Sequence, residues 1–301
     1  MPEAKRASDA VRFYVAVGLG VTAAVIGILL RRESVPPPPR PPQDDAIATW
    51  CADGFEAIRG GCLALPPRSA TPGKPTPLVI FLHGRYGADG VERMMETQAR
   101  VGRIGTARGY AVLALRGRQG ECTDPTLASW WCWPSNERNA ADGPAFVQRF
   151  MPPIAEAERR IGRGRRVLLG FSNGAYFAAL IASRSLLPID AVAIAHGGPV
   201  EPMTPVGAPP PALLVNADED PSDAEMQRLA ADLTRERWPF AFVERGGGHA
   251  LPDWDVEMAL TFFDRTAREP LPLVPPLSPP HVRSPSASAS ASPSPPSSPP
   301  D

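Results

Sequence analysis

The stretch Val167-Leu168-Leu169-Gly170-Phe171-Ser172-Asn173-Gly174-Ala175 decides the fold of this chain. An apolar run leads into Gly-Phe-Ser-Asn-Gly, and the residues that follow are able to form a helix. A strand that turns sharply into a helix and exposes a serine at the bend needs small residues two positions to either side. Gly170 and Gly174 supply them. The stretch therefore predicts a nucleophile elbow with Ser172 at its tip.

Short apolar runs alternate with helical stretches along the rest of the chain. Each run is bounded by turn residues or charges, which is typical of parallel strands covered on both faces. This alternation predicts an α/β fold with a doubly wound, mostly parallel sheet. We predict strands at 78–82, 110–115, 167–169, 191–195, 212–215 and 240–243, and helices at 91–107, 145–161, 174–185, 222–237 and 254–268.

The proline distribution predicts the domain organisation. The chain has 39 prolines, which concentrate in 36–42 and in a Pro/Ser-rich tail, and neither segment is able to build a core. We predict a globular domain of the α/β type at 46–268, preceded by a Pro-rich linker at 31–45 and followed by a disordered tail at 269–301.

The predominantly apolar stretch 11–30 is long enough to cross a bilayer as a helix. Arg31 and Arg32 follow it, and no small-x-small cleavage site is visible at its end. A retained signal anchor, with residues 1–10 as a short cytoplasmic N-terminus, is therefore favoured. Secretion after signal cleavage is the alternative.

The four cysteines form two pairs that are local in sequence, Cys51 with Cys62 and Cys122 with Cys132. Neither pair has metal-ligand spacing, so two short disulfide loops are favoured, with four buried thiols as the alternative. Disulfides persist in oxidising compartments, which places the domain outside the cytoplasm. In the segment 50–65, Gly-Gly lies between apolar residues, and we predict a disulfide-closed β-hairpin at the sheet edge.

Charge and motif content exclude several classes of function. The net charge is −1, with 31 basic and 32 acidic side chains, so the chain has no basic footprint for nucleic acid. No zinc-binding or phosphate-loop spacing is visible. We expect neither a metal nor a cofactor.

A serine nucleophile needs a base that takes its proton and a carboxylate that orients the base. Of the 4 histidines, His281 lies in the tail, His83 belongs to a turn, and His196 comes directly behind the strand that follows the elbow. His249 follows three glycines just past the last predicted strand, where its ring can reach over the carboxyl edge of the sheet. We therefore predict His249 as the base.

Three carboxylates, at positions 218 to 220, follow the predicted strand at 212–215. We predict Asp220 as the acid of the triad, because the proline after it ends the strand and begins a turn. Asp218 is the alternative. The chain order is then serine, aspartate and histidine, the order associated with this type of elbow.

With these motifs in place, the region 77–268 resembles the α/β-hydrolase family. Within that family, Gly-Phe-Ser-Asn-Gly-Ala is similar to the elbows of secreted polyhydroxybutyrate depolymerase-like and feruloyl-esterase-like enzymes. The resemblance implies hydrolysis of small-molecule or polymeric carboxylic esters by a cofactor-free serine hydrolase.

The stretch Phe81-Leu82-His83-Gly84-Arg85 resembles the oxyanion-hole turn of the same family. The resemblance implies backbone N–H donors at Arg85 and at Asn173, the residue after the nucleophile. Two such donors stabilise a tetrahedral oxyanion, and the loss of one costs about 3 to 4 kcal/mol. His83 and Tyr86 are candidates for contact with substrate.

Two further features concern access to the site. Many members of the family insert a lid between the strand after the elbow and the acid-bearing strand, but the connection 196–211 is short and proline-rich, so we expect no lid domain. Trp130, Trp131 and Trp133 lie in a long loop on the side that flanks the active site in this fold. They either stack on a sugar or phenolic group of the substrate or pack the loop against the domain.

The sequence thus predicts a membrane-anchored or exported serine esterase that works through an acyl-enzyme. A serine peptidase or amidase with the same machinery is the first alternative. The second is a non-catalytic binding module of the hydrolase fold, tethered to the cell envelope.

Overall fold

The computed structural model describes residues 47–67 and 75–269. The predicted anchor at 11–30, the linker at 31–45 and the tail from 270 onward lie outside the described residues. Among the residues that are described, no helix combines the length and the apolar character needed to cross a membrane.

The described part of the chain alternates strands and helices, as the sequence predicts. The strands are β1 (Glu56–Ile58), β2 (Gly61–Ala64), β3 (Leu78–Leu82), β4 (Ala111–Leu115), β5 (Arg118–Gln119), β6 (Trp131–Cys132), β7 (Arg166–Phe171), β8 (Ala191–Ala195), β9 (Ala212–Ala217) and β10 (Phe240–Arg245). The helices are α1 (Val91–Ala107), α2 (Gly143–Gln148), α3 (Met151–Ile161), α4 (Asn173–Ser183), α5 (Asp223–Arg235) and α6 (Asp253–Arg268).

Eight of these strands form one sheet in the order β1-β2-β4-β3-β7-β8-β9-β10, and β5 pairs with β6 separately. The pairs β1/β2 and β2/β4 are antiparallel. From β4 to β10 every neighbouring pair in the sheet is parallel. The prediction of a mostly parallel sheet is therefore confirmed, and β7 with its elbow lies near the centre.

Helices cover both faces of the sheet because the strands are apolar on both sides. In β3, Leu78, Ile80 and Leu82 point into one core cluster, whereas Val79 and Phe81 point into another. Side chains of α2 to α5 complete the first cluster, and side chains of α1 and α6 complete the second. Full burial of such a side chain contributes about 1.5 to 3 kcal/mol, so the double-wound arrangement is the main source of stability.

The helix predicted at 145–161 is divided into α2 and α3. The break falls just before Pro152-Pro153, which occupy the first turn of α3. Proline has no N–H to donate and its ring clashes with the preceding turn, so a helix can begin with these two residues but cannot continue through them.

The predicted hairpin at the sheet edge is present. β1 and β2 pair through Ile58 and Gly61, and Gly60 in the turn has a φ of 70°. Cys51 and Cys62 lie with their Cα atoms 5.4 Å apart. This distance is in the usual range for a disulfide, which ties the hairpin to the segment before it.

The second cysteine pair closes the long loop after β4. The Cα atoms of Cys122 and Cys132 are 5.3 Å apart, and the described residues contain no free cysteine.

The connection 196–211 between β8 and β9 contains neither helix nor strand. The described residues therefore contain no lid domain at this position.

We expect that alkylation of the denatured, non-reduced protein, isolated from the cells that make it, labels no cysteine and that reduction exposes four thiols. The Cys122→Ser variant is the matched control, since loss of one partner should leave one labelled thiol, at Cys132. Mass spectrometry counts the labels. Four labels without reduction would contradict the pairing.

Candidate active site

Ser172 occupies the turn between β7 and α4. Its φ of 53° and ψ of −123° are unusual for a residue with a Cβ atom, and its N–H donates to the carbonyl of Ala195 at 2.9 Å. Strained backbone of this kind persists where the surrounding structure enforces it, commonly at functional sites. The turn projects the Ser172 hydroxyl from the carboxyl edge of the sheet.

The two glycines of the elbow are required by the close approach of α4 to its own strand. A Cβ atom on Gly170 would lie 2.8 Å from Ala178 Cβ, and one on Gly174 would lie 2.6 Å from the carbonyl oxygen of His83. Backbone groups cannot move aside as a flexible side chain does. The sequence prediction that only small residues fit these positions therefore has a direct steric cause.

The structure brings Ser172, His249 and Asp220 into one chain of hydrogen bonds. The Oγ atom of Ser172 lies 2.7 Å from His249 Nε2, and His249 Nδ1 lies 2.9 Å from Asp220 Oδ2. When Nδ1 carries the proton and donates to the carboxylate, Nε2 is free to accept the serine proton. This is the geometry that a nucleophile and its base require.

Asp220 is held as an anion beneath His249. Its side chain is buried, and the N–H and Oγ of Ser222 donate to Oδ1 at 2.7 and 2.6 Å. Burial raises the pKa of Asp220, but the hydrogen bonds from Ser222 and His249 outweigh burial, and the pKa lies below its usual value. Asp218, the alternative acid, is exposed and instead accepts from the N–H of Gly247 at 2.9 Å.

Two arginines fix the loop that carries His249. Arg245 Nη2 donates to the carbonyl of Ala250 at 2.9 Å, and Arg100 Nη1 donates to the carbonyl of Leu251 at 3.0 Å. The glycine run before His249 contributes one left-handed residue, at position 247. The loop is thus positioned by charged side chains as well as by its glycines.

Sequence reasoning missed a buried histidine next to the site. The His196 side chain is fully buried, with Nδ1 2.7 Å from Asp220 Oδ2 and Nε2 2.8 Å from Asp255 Oδ2. Arg245 Nε in turn lies 2.7 Å from Asp255 Oδ1. His196 and Arg245 stand at the carboxyl ends of β8 and β10, and this shared sheet edge was the signal that could have identified them.

The turn after β3 lies against the elbow. A Cβ atom on Gly84 would come 3.1 Å from Ser172 Cβ, which places the Gly84-Arg85 segment beside the hydroxyl. The His83 ring accepts from the Gly117 N–H at 3.0 Å and lies 2.5 Å from the Gly84 carbonyl. Burial lowers the pKa of His83 to about 3, so the ring is neutral. Both ring nitrogens of His83 are used by the backbone, so the ring holds the turn and offers no polar atom to a substrate.

The three tryptophans have different environments. Trp133 is fully buried against Phe146 and Phe177, so the prediction that it contacts substrate is wrong. The ring of Trp131 is covered by the Arg116 guanidinium at 3.7 Å. Trp130 remains as the tryptophan that lines the cleft.

The cleft above Ser172 has a volume of about 730 Å³, and its lining includes Trp130, Tyr176 and His249. A smaller pocket of about 220 Å³ adjoins it, with Tyr86 and Trp130 among its walls. Burial raises the pKa of Tyr86 to about 12, so its phenol is neutral. The larger volume is in the usual range for sites that bind small organic molecules.

A group of potential metal ligands in the described residues consists of His196, Asp220 and His249. Both nitrogens of His196 already face carboxylates, and His249 lies between Ser172 and Asp220. A metal would have to break these hydrogen bonds to find open ligand atoms. The donor set therefore fits a proton-transfer chain better than a metal site.

No protein-family model matches the chain, and none of the curated proteins matches it in sequence. A solved structure of a Bacillus cereus carboxylesterase is similar, with a TM-score of 0.51 and 19% identity over 64% of this chain and 89% of the other. SOBER1 of Arabidopsis thaliana gives a TM-score of 0.50 and 14% identity over 64% of this chain and 99% of its own. At such identities the likeness concerns the fold alone. The chain has the α/β-hydrolase fold.

We expect Gly174→Ala to destabilise the protein by about 1 to 3 kcal/mol, because the added methyl group would push α4 away from the turn at His83. Thermal unfolding should show a fall in Tm on the order of 5 °C. Gly246→Ala is the matched control, since its methyl group would meet no atom within 4 Å. Equal Tm values for the two variants would contradict the steric explanation of the elbow.

Proposed function

We propose that this chain is a serine hydrolase that cleaves carboxylic esters. The observation that carries the proposal is the contact of Ser172 Oγ with His249 Nε2 at 2.7 Å, backed by the 2.9 Å contact of His249 with Asp220. The solved structure of a Bacillus cereus carboxylesterase is similar to this chain, which supports an ester as the substrate.

The proposed reaction passes through an acyl-enzyme. Ser172 attacks the ester carbonyl while His249 takes the hydroxyl proton and then passes it to the leaving alcohol. Asp220, ionised because its hydrogen bonds outweigh burial, fixes the ring of His249 and stabilises its positive charge. In the second half, His249 takes a proton from water, and the resulting attack releases the acid and restores the serine.

Two backbone N–H groups are the proposed oxyanion donors. One is that of Asn173, the first residue of α4, where N–H groups have no partner within the helix. The other is that of Arg85, in the turn that lies against Ser172. The side chain of Asn173 is engaged elsewhere, because its Oδ1 accepts from the backbone N–H of Trp133 at 2.8 Å.

An extracytoplasmic location, with the domain tethered by the segment 11–30, is part of the proposal. Two cysteine pairs at disulfide distance support it, because disulfides persist in oxidising compartments. The thiol count described with the fold tests this location as well as the pairing.

We expect Ser172→Ala to reduce turnover of a short-chain chromogenic ester by about 10⁶-fold, because the triad acts as a unit. Asp220→Asn should cost about 10⁴-fold, since the amide cannot hold the required tautomer of His249. Asp218→Asn should have little effect, because the asparagine oxygen can still accept from the Gly247 N–H. A fluorophosphonate probe should label the wild-type protein at Ser172.

Ser183→Ala is the matched control for these measurements. It removes a hydroxyl from the last turn of α4, the helix that follows Ser172, where Ser183 Oγ donates only to the carbonyl of Leu180. This variant should keep its activity and its labelling. Full activity in Ser172→Ala would rule out the proposed mechanism, whereas a panel in which only amides are cleaved would replace the ester by an amide substrate.

We expect no jump in rate when the substrate concentration passes the aggregation threshold of a partly soluble ester. Lidded lipases are activated at such a threshold because a segment moves off the nucleophile. Here the connection 196–211 forms no helix, and the side chain of His249 is 35% exposed. Rate curves for the full chain and for the chain from residue 43 onward should coincide. A sharp increase in both would point to another cover over Ser172, first of all the Trp130 loop.

A further inference from the structure

His196 lies at the centre of a buried chain of charged groups behind the proposed triad. Its two ring nitrogens face Asp220 and Asp255 at 2.7 and 2.8 Å, and all three side chains are 0% exposed. Arg245 closes the chain, with Nε 2.7 Å from Asp255 Oδ1 and Nη2 3.1 Å from Oδ2. Burial of charged groups costs free energy unless they are paired and hydrogen-bonded.

We take Asp220 and Asp255 as ionised, and the two contacts of His196 then set the number of protons on its ring. An ionised carboxylate accepts hydrogen bonds and donates none, so each of the two contacts of His196 needs a proton on the ring. A neutral imidazole has one N–H, whereas an imidazolium has two. With His196 as an imidazolium, the charges of Asp220 and Asp255 are balanced by those of His196 and Arg245. Buried charges are tolerated when they are paired in this way.

Groups from five different parts of the described fold face the His196 ring. β7 contributes an uncharged ring, and the other elements contribute charged or titratable groups. These are Phe171 at 5.8 Å between ring centroids, Asp220 from the loop after β9, Arg245 Nη2 at 3.4 Å from β10, Asp255 from α6, and the ring of His249 at 5.9 Å.

The backbone of His196 is held in an unusual conformation. Its φ is 57°, in the left-handed region that favours glycine, and its N–H donates to the carbonyl of Val215 at 2.9 Å. A residue with a large side chain is kept here although the backbone disfavours it. The two short contacts of the ring help to offset this cost.

We propose that His196 is a positioning residue of the hydrolase: a buried imidazolium that aims Asp220 at His249 and counters part of the Asp220 charge. Asp220 Oδ2 is shared between the two rings, at 2.7 Å from His196 and 2.9 Å from His249. The positive charge on His196 opposes protonation of the His249 ring. It thereby keeps His249 available as a base at neutral pH. This inference rests on the proposed function, because it assigns a purpose to His249 as base.

The charge on His196 affects the acid side of the pH profile of catalysis. His249 must be unprotonated to accept the serine proton, so activity falls on the acid side when the ring binds a proton. Removal of the His196 charge lets His249 bind that proton more tightly. The acid limb of the kcat/KM profile then moves to higher pH, by about 1 to 2 pH units for a charge at this distance in a partly screened site.

His196→Asn is the test variant. Asparagine tolerates the left-handed backbone and keeps an amide donor, but it carries no charge. We expect the upward shift of the acid limb, a loss in kcat larger than the change in KM, and a loss that shrinks as the pH rises. The buried Leu233→Ala variant, in α5, is the control for lowered stability. It should lower Tm and leave the acid limb where it is in the wild type.

An unchanged pH profile in a folded His196→Asn variant would overturn the proposal and leave His196 a structural role. A second measurement does not depend on that variant. Nitrogen-15 NMR of the wild-type full chain, labelled in histidine, should find both nitrogens of His196 protonated at neutral pH, with the neutral ring of His83 as internal reference. A neutral His196 overturns the proposal. This NMR result is independent of any ester, so failure of the proposed function would be recognised separately by the absence of hydrolysis.

Discussion

The contact between α4 and the end of β7 is the constraint on which the rest of the site depends. Gly170 and Gly174 let the helix approach so closely that Ser172 is forced into its left-handed turn. Because β7 lies near the centre of a parallel sheet, the carboxyl ends of β8, β9 and β10 arrive on one side of that turn. Each of these three ends delivers one part of the hydrogen-bond chain, from His196 after β8 to Asp220 after β9 and His249 after β10.

This arrangement explains why so many charges are buried together. His196, Asp255 and Arg245 form a layer beneath Asp220 and His249, in which Asp255 contacts both His196 and Arg245 and Asp220 contacts His196. The loss of one partner from a buried pair costs about 3 to 5 kcal/mol, because it leaves the other charge without compensation. The layer is therefore cooperative: it fixes the acid and the loop of the base together.

The sequence predicted the edge hairpin, the parallel strands of the main sheet and the elbow, because these depend on local apolar runs and on glycine sterics. The order of serine, acid and base stays a prediction. It also contained Pro152-Pro153, which explain the division between α2 and α3. The role of His196 was missed because its partner Asp255 comes from a helix 59 positions away, and a pattern in one segment does not reveal such a pairing. Trp133 was misjudged for the same reason, since its burial depends on the aromatic rings of α2 and α4.

The loop closed by Cys122 and Cys132 is mechanically part of the site. Trp133, the residue directly after this loop, donates from Nε1 to the carbonyl of His83 at 2.7 Å and from its backbone N–H to the side chain of Asn173 at 2.8 Å. Trp133 therefore contacts the turn after β3 and the first residue of α4, which are the two proposed sources of oxyanion donors. A disulfide next to Trp133 reduces the freedom of the loop that braces both. Closure of the Cys122–Cys132 disulfide therefore helps to hold these two backbone segments at the positions that the proposed chemistry needs.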